Sequence, residues 1–233
     1  MSVQAVWLAY IETMATDSNT EPSTNAVLVF TKVPEVGKVK TRLIPALGAE
    51  GATELYRRLL DRQIHWLANE TNYAIQLWIS SLEEHPLIQK LVEDCGLTLH
   101  CQQGKDLGER MHQAAITALQ KYQKVVLLGV DCPALTADHL QQTFNWLERE
   151  DAVLGPAQDG GYVLLGLKAV APSLFKEHNW GAADVAETTR AALRGLEWRW
   201  CELPVLWDLD RPEDLIQLKT LGIEVDGQDL LVG

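Results

Sequence analysis

Short apolar runs alternate along this chain with longer stretches in which apolar residues return every three or four positions. Ala26–Thr31 is the first short run and predicts a strand. Ala52, Leu55, Tyr56, Leu59, Leu60, Ile64 and Leu67 then recur at helical spacing. Tyr73–Ser80 predicts a strand, and Leu87, Ile88, Leu91, Val92 and Cys95 mark a helix that Gly96 can end. Leu97–Gln102 predicts a third strand and Leu107–Leu119 a helix. Lys124–Val130 is continuously apolar after its lysine, as in a strand covered on both faces. Thr136 can cap a helix carrying Leu140, Phe144 and Leu147. Val153–Gly155 and Tyr162–Leu167 flank a turn, Val185–Leu193 is helical, Glu197–Leu203 reads as a strand and Arg211–Leu221 as a last helix. Such alternation predicts an α/β fold: a three-layer α/β/α sandwich around a mostly parallel, mixed sheet. No repeat or linker interrupts residues 25–233, which are expected to form one domain.

Composition narrows the function. With 47% apolar and 22% charged residues, the chain falls in the ordinary globular range. A formal net charge of -12 argues against the broad basic face that nucleic acid or an anionic membrane surface requires. No apolar run reaches the roughly 18 residues that span a bilayer. Residues 1–25 contain no Lys or Arg and so lack a secretory signal's basic start. The polar stretch within residues 1–24 is expected to be a disordered tail, with Met14 an alternative start. Cys95, Cys101, Cys132 and Cys201 lack zinc spacing and are expected to be reduced, buried thiols of a cytoplasmic protein.

Against this acidic background, the stretch after the first strand stands out. Lys32, Lys38, Lys40 and Arg42 crowd into a loop that also holds Gly37 and Thr41. Open α/β sheets bind ligands beyond the carboxyl ends of their strands. A cationic, glycine-containing loop there suits nucleotide phosphates, with Arg42 able to bind bidentately and Gly37 permitting close backbone approach. The loop is neither a Walker A sequence nor a GxGxxG turn. The plainer alternative is a solvated basic loop.

The other strand ends supply counterparts. Asp131, after the central strand, can hold Mg2+ or Mn2+ or else begin a turn before Pro133. Asp159, Gly160 and Gly161 form a hairpin signal, or a bare backbone beside a substrate. Asp210 reads as the cap of the last helix, with Pro212, Glu213 and Asp214 in its first turn. Capping does not account for Asp208, which can join Asp131 on one cation if their strand ends are adjacent. Gly104, Asp106, Glu109 and Arg110 fit a helix cap equally as well as a nucleotide-facing loop.

Taken in order, these segments resemble the nucleotide-diphospho-sugar transferase superfamily, with its Rossmann-like, glycosyltransferase A-type fold. They are most similar to a bacterial family labelled arsenosugar-biosynthesis-type glycosyltransferase. The landmarks are Lys32-Val33-Pro34 to Gly37, Lys40-Thr41-Arg42-Leu43, Gln103-Gly104 with Asp106 to Met111, Gly129 to Pro133, Asp159 to Tyr162, and Asp208 to Asp214. The resemblance implies a nucleotide or nucleotide-sugar donor, a small-molecule acceptor and Mg2+ or Mn2+. It places Asp131, Lys40 and Arg42 in catalysis. Lys32, Gly37, Lys38, Lys40, Thr41, Arg42, Gly104 and Arg110 would hold the nucleotide, Asp159, Gly160, Gly161 and Trp180 the substrate, and Asp131 and Asp208 the metal. Trp180-Gly181-Ala182 departs from the family's Trp-Ser/Thr-Thr and lacks its hydroxyl, and Arg211 stands where Thr is usual. Glycosyl transfer ranks first on the resemblance. The four loop cations lean instead towards nucleotidyl transfer from a triphosphate. A catalytically silent nucleotide-binding protein is the reading from a different class.

Overall fold

A computed structural model describes residues 23–81, 83–176 and 179–220, and the statements below concern these. The predicted tail up to residue 22 and the predicted end of the last helix at residue 221 lie outside the described residues. The strands are β1 Asn25–Thr31, β2 Ala74–Ile79, β3 Thr98–Cys101, β4 Lys124–Leu128, β5 Ala152–Pro156, β6 Tyr162–Leu167 and β7 Trp200–Glu202. The helices are α1 Ile44–Glu70, α2 Pro86–Cys95, α3 Leu107–Leu119, α4 Ala137–Trp146, α5 Val185–Gly195 and α6 Leu215–Thr220.

The strands form one seven-stranded sheet in the order β3-β2-β1-β4-β6-β5-β7. β6 pairs antiparallel to β4 and β5, and every other pairing is parallel. Alternate residues of β1 face opposite layers, as the two-residue strand period requires. Val27 and Val29 pack under α1, α2 and α4 with Leu60, Ile64, Leu91 and Phe144. Ala26 and Leu28 pack on the other face under α3 and α5 with Met111, Ala115 and Leu193. The predicted sandwich is therefore the observed architecture.

Gly48 (φ 71) breaks α1, so its regular part begins just after it, where the helical spacing expects it. Two other element ends differ from the sequence reading. β7 starts only at Trp200, because Glu197 takes a left-handed turn (φ 54) and Trp198 N–H bonds back to Leu193 O. The last helix begins with a 3-10 turn, Pro212–Asp214, which Asp210 does not cap. Asp214 does so instead, its carboxylate accepting from Asp210 N–H (2.9 Å) and Arg211 N–H (2.7 Å).

Candidate active site

After β3 the chain returns to the other side of β1 to form β4, so the β1/β4 boundary is the sheet's switch point, where such folds open a crevice. The loop leaving β1 is locked there by a closed ring of hydrogen bonds. Lys32 N–H donates to Tyr56 Oη (2.9 Å), the Tyr56 hydroxyl lies 2.7 Å from Thr31 Oγ1, and the Thr31 hydroxyl donates to Lys32 O (3.1 Å). Burial pushes the Tyr56 phenol above its ordinary range, so it stays a neutral donor. Tyr56→Phe breaks the ring and is expected to cost about 1–2 kcal/mol in urea unfolding, with weaker nucleotide binding as the Lys32 peptide loosens. An unchanged unfolding midpoint would contradict this.

Beyond Lys32 the loop is amphipathic. Val33, Val39 and Leu43 are buried, while Lys32, Lys38 and Arg42 are exposed. Gly37 sits at φ 78, a turn conformation open to glycine. Lys38 pairs with Glu35 at 2.5 Å. Lys40 behaves differently. Its backbone is left-handed (φ 46), unusual for a residue with a side chain, and Thr41 opens a 3-10 turn after it. Its ammonium reaches across the sheet edge to the Asp131 carboxylate and the Leu209 carbonyl, leaving its side chain only 4% exposed. Arg42 pairs with Asp210.

Apolar packing brings these groups together. Leu43 and Leu209 are both fully buried, in one cluster with Leu55, Leu59 and Leu215. Their polar neighbours Arg42 and Asp210 therefore meet at its rim. Helix α1 holds the Asp131 loop as well: Gln63 Nε2 donates to Gly129 O (3.0 Å) and Arg62 to Pro133 O (3.3 Å). Leu209 N–H donates to Asp131 O (2.7 Å), which sets the segment carrying Asp208 beside the end of β4. The side chain of Asp131 thus serves Lys40 and does not cap the next helix, where Thr136 and His139 bond each other (2.8 Å).

Asp208 lies among carboxylates. Burial, with Asp159, Asp210 and Asp131 nearby, pushes its carboxyl up to about 6. An aspartate in an unfolded chain releases its proton near about pH 4. Between those values the folded protein binds more protons, so this group makes the metal-free protein less stable as pH rises through the window. Asp208→Asn is expected to melt above the wild type at about pH 8, with the gap closing at about pH 4. Equal melting temperatures at the higher pH would contradict it.

The same imbalance of charge bears on a divalent cation. Asp131 and Asp208 occupy adjoining strand-end segments, and the carboxylates around Asp208 resist its ionisation, which a cation would relieve. Among the described residues no group of three or more His, Cys, Asp or Glu forms a ready cage. Mg2+ can be held by one or two carboxylates with water and phosphate oxygens in its other positions, and Asp131 and Asp208 are the two carboxylates that could serve it here.

On the far side of Asp131 lies a cavity of about 230 Å³, lined by Phe30, Leu107, Met111, Asp131, Asp159, Gly161, Tyr162, Trp180 and Gly181 among others. The β5–β6 hairpin forms one wall. Asp159 accepts from Gly161 N–H (2.8 Å), so the predicted turn exists and still presents the carboxylate to the cavity. A Cβ at Gly160 would lie 2.0 Å from Ala183 O, so glycine is what lets the hairpin meet the segment before α5. Trp180 stands edge-on to Tyr162, ring centroids 6.4 Å apart. Gly104 and Arg110 are drawn to each other instead (Arg110 Nε to Gly104 O, 3.1 Å) beside the expected cap, in which Glu109 N–H donates to Asp106 (2.8 Å). Sequence reasoning missed Tyr56, Arg62 and Gln63 as loop supports, and Phe30, Met111 and Tyr162 as cavity wall.

Residues 63–182 match the family described as "Uncharacterized protein conserved in bacteria (DUF2064)". The chain belongs to the DUF2064 family. It is 33% identical to a candidate nucleotide-diphospho-sugar transferase from Desulfovibrio desulfuricans G20, with a TM-score of 0.79 over 88% of this chain and 90% of that one. The 3-phospho-D-glycerate guanylyltransferase of Phenylobacterium zucineum is 35% identical over 118 residues, 49% of this chain and 53% of the relative. The chain therefore matches about half the length of that curated relative. A cytidylyltransferase from Leptospira borgpetersenii shares the fold, with a TM-score of 0.55 at 12% identity over 89% of this chain and 92% of its own. The homologues of this DUF2064 chain are transferases on nucleotide-binding folds, and none of the three bears on arsenosugar chemistry. Among the described residues no helix is long and apolar enough to cross a membrane.

Proposed function

We propose that this chain is a nucleotide-dependent transferase that moves a nucleotidyl group from a nucleoside triphosphate to a phosphorylated small molecule. The observation that carries the reading is the junction of Lys40 and Arg42 with Asp131 and Asp210, which lays the chain's densest positive charge over the candidate metal carboxylates. Lys40 and Arg42 would exchange their carboxylate partners for phosphate oxygens, with exposed Lys32 and the Thr41 turn alongside. Lys38, held on Glu35, would sit at the margin. Asp131 and Asp208 would hold Mg2+ or Mn2+, which supplies charge neutralisation at the phosphates. An acceptor phosphate oxygen would attack the α-phosphorus, and the bond to the β-phosphate's bridging oxygen would break. Lys40 and Arg42 would then stabilise the departing pyrophosphate. The 35% sequence identity with the guanylyltransferase over 118 residues supports this chemistry.

Glycosyl transfer from a nucleotide sugar is the second reading. It is favoured by the likeness to the candidate nucleotide-diphospho-sugar transferase over 88% of this chain and by the aromatic cavity beside Asp131. One assay separates the two. The protein is incubated in Mg2+ with nucleoside triphosphates plus sugar phosphates, or with nucleotide sugars, and the products are identified by mass. Pyrophosphate with a nucleotidylated acceptor is expected. Nucleoside diphosphate with a glycoside would favour the second reading. Nucleotide binding without any product would mean a silent binding protein.

A further inference from the structure

A second cavity, of about 470 Å³, lies on the opposite side of the peptide that carries Asp131. Asp131 lines the space beside the β5–β6 hairpin, whereas its neighbours Val130 and Cys132 line this one. The other wall is a face of α1 on which Arg62, Trp66 and Glu70 follow one another at four-residue spacing, in a single row. Its volume falls within the range of small-molecule sites, about 300–1,000 Å³. The transferase chemistry proposed above makes no use of it.

The lining is mostly apolar, and its polar groups differ in what they have left to offer. Gln63 Nε2 is committed to Gly129 O and Thr136 to His139. Burial pushes the Cys132 thiol up to about 12, so it stays neutral. The Trp66 indole can add a neutral donor. Arg62 is the one cation of the lining. It gives one guanidinium donor to Pro133 O (3.3 Å), and no carboxylate among the described residues pairs with it. Glu70, the other charged group there, stands about 12 Å further along α1, too far to neutralise it. Asp131 and Asp208 do not line this cavity, and Asp131 is already held by Lys40.

We propose that this cavity binds a small aromatic acid with a single anionic group, at a site separate from the nucleotide. The ring would lie on Trp66 against Pro133 and Leu135, and the carboxylate would take the remaining donors of Arg62. Glu70 would exclude a second acidic group at the ring's far end. Arginine has donors enough to hold Pro133 O and an anion together, so an occupant braces the Asp131 loop from behind. The effect on nucleotide binding, though not the site itself, rests on the role proposed above for Asp131.

The test uses 1-naphthoate, with uncharged 1-naphthamide as its control, each titrated calorimetrically into the full chain. 1-Naphthoate is expected to bind with a Kd of about 1 mM or lower, and 1-naphthamide at least about fivefold more weakly. Arg62→Gln should bring the two within about twofold of each other, and Ala134→Trp, which fills the cavity, should abolish binding of both. Should Ala134→Trp not fold, Arg62→Gln decides alone. Bound 1-naphthoate should also slow amide hydrogen exchange across residues 129–135 and tighten triphosphate binding in Mg2+ about threefold. No binding of 1-naphthoate, equal binding of the two probes by the wild type, or a preference that Arg62→Gln leaves intact overturns the site. Unchanged exchange in residues 129–135 with the probe bound overturns the bracing. Slowed exchange in a protein that binds no triphosphate or nucleotide sugar would sink the transferase reading and leave this inference standing.

Discussion

Lys40→Ala is expected to lower kcat/KM about 100- to 1,000-fold, the loss typical of removing one preorganised group aimed at developing negative charge. Lys40 is the loop cation most committed to a fixed position. Its backbone is left-handed, its side chain is almost wholly enclosed, and its ammonium already rests on Asp131 and the Leu209 carbonyl. A charge held in this way is already at the site when phosphate arrives and has only to exchange Asp131 for phosphate oxygens. Lys38 is the internal control: it is exposed and paired with Glu35, so Lys38→Ala should change kcat/KM by less than about threefold. Steady-state kinetics with the substrates found active would check both. Similar losses in the two variants would mean that the loop acts through general charge alone.

Asp131→Asn is expected to have the larger effect, about 1,000-fold or more in turnover, because it removes a metal carboxylate and with it several kcal/mol of charge stabilisation. It should also cost about 1–3 kcal/mol of metal-free stability, since the enclosed Lys40 ammonium would then face an amide. Asp208→Asn separates the two effects. It should reduce metal-dependent turnover as well, yet raise metal-free stability above neutral pH, because its carboxyl is the one crowded by like charges. Denaturation and turnover measured on both variants would show opposite stability changes with parallel losses of activity. Destabilisation of both would contradict the charge arrangement described here.

The layers of the fold could be read from particular residues. Residues 125–128 are apolar on both faces because β4 lies between β1 and β6 under two helix layers, and Asp159-Gly160 marked the hairpin that makes β6 antiparallel. Strand order was not legible, since apolar runs do not say which neighbour they pair with. Asp210 matched a capping pattern so well that its real partner, Arg42, was hidden. The cap came from Asp214, a residue equally suited to the helix's first turn. The Lys40–Asp131 pair joins loops far apart in sequence and follows from the burial of Leu43 with Leu209, a contact no local pattern announces. Tyr56 did carry a signal: a hydroxyl-bearing side chain on the apolar face of α1 needs a buried partner, and the end of β1 provides one.

The central claim is that nucleotide phosphates bind where Lys40 meets Asp131. Calorimetric titration of the wild type, Lys40→Ala and Asp131→Asn with nucleoside triphosphates and nucleotide sugars in Mg2+ tests it most directly. The account predicts that the wild type binds at least one of these nucleotides and that both variants bind it at least about tenfold more weakly. Wild-type affinity retained by both variants, or no binding of any nucleotide by the wild type, would contradict it.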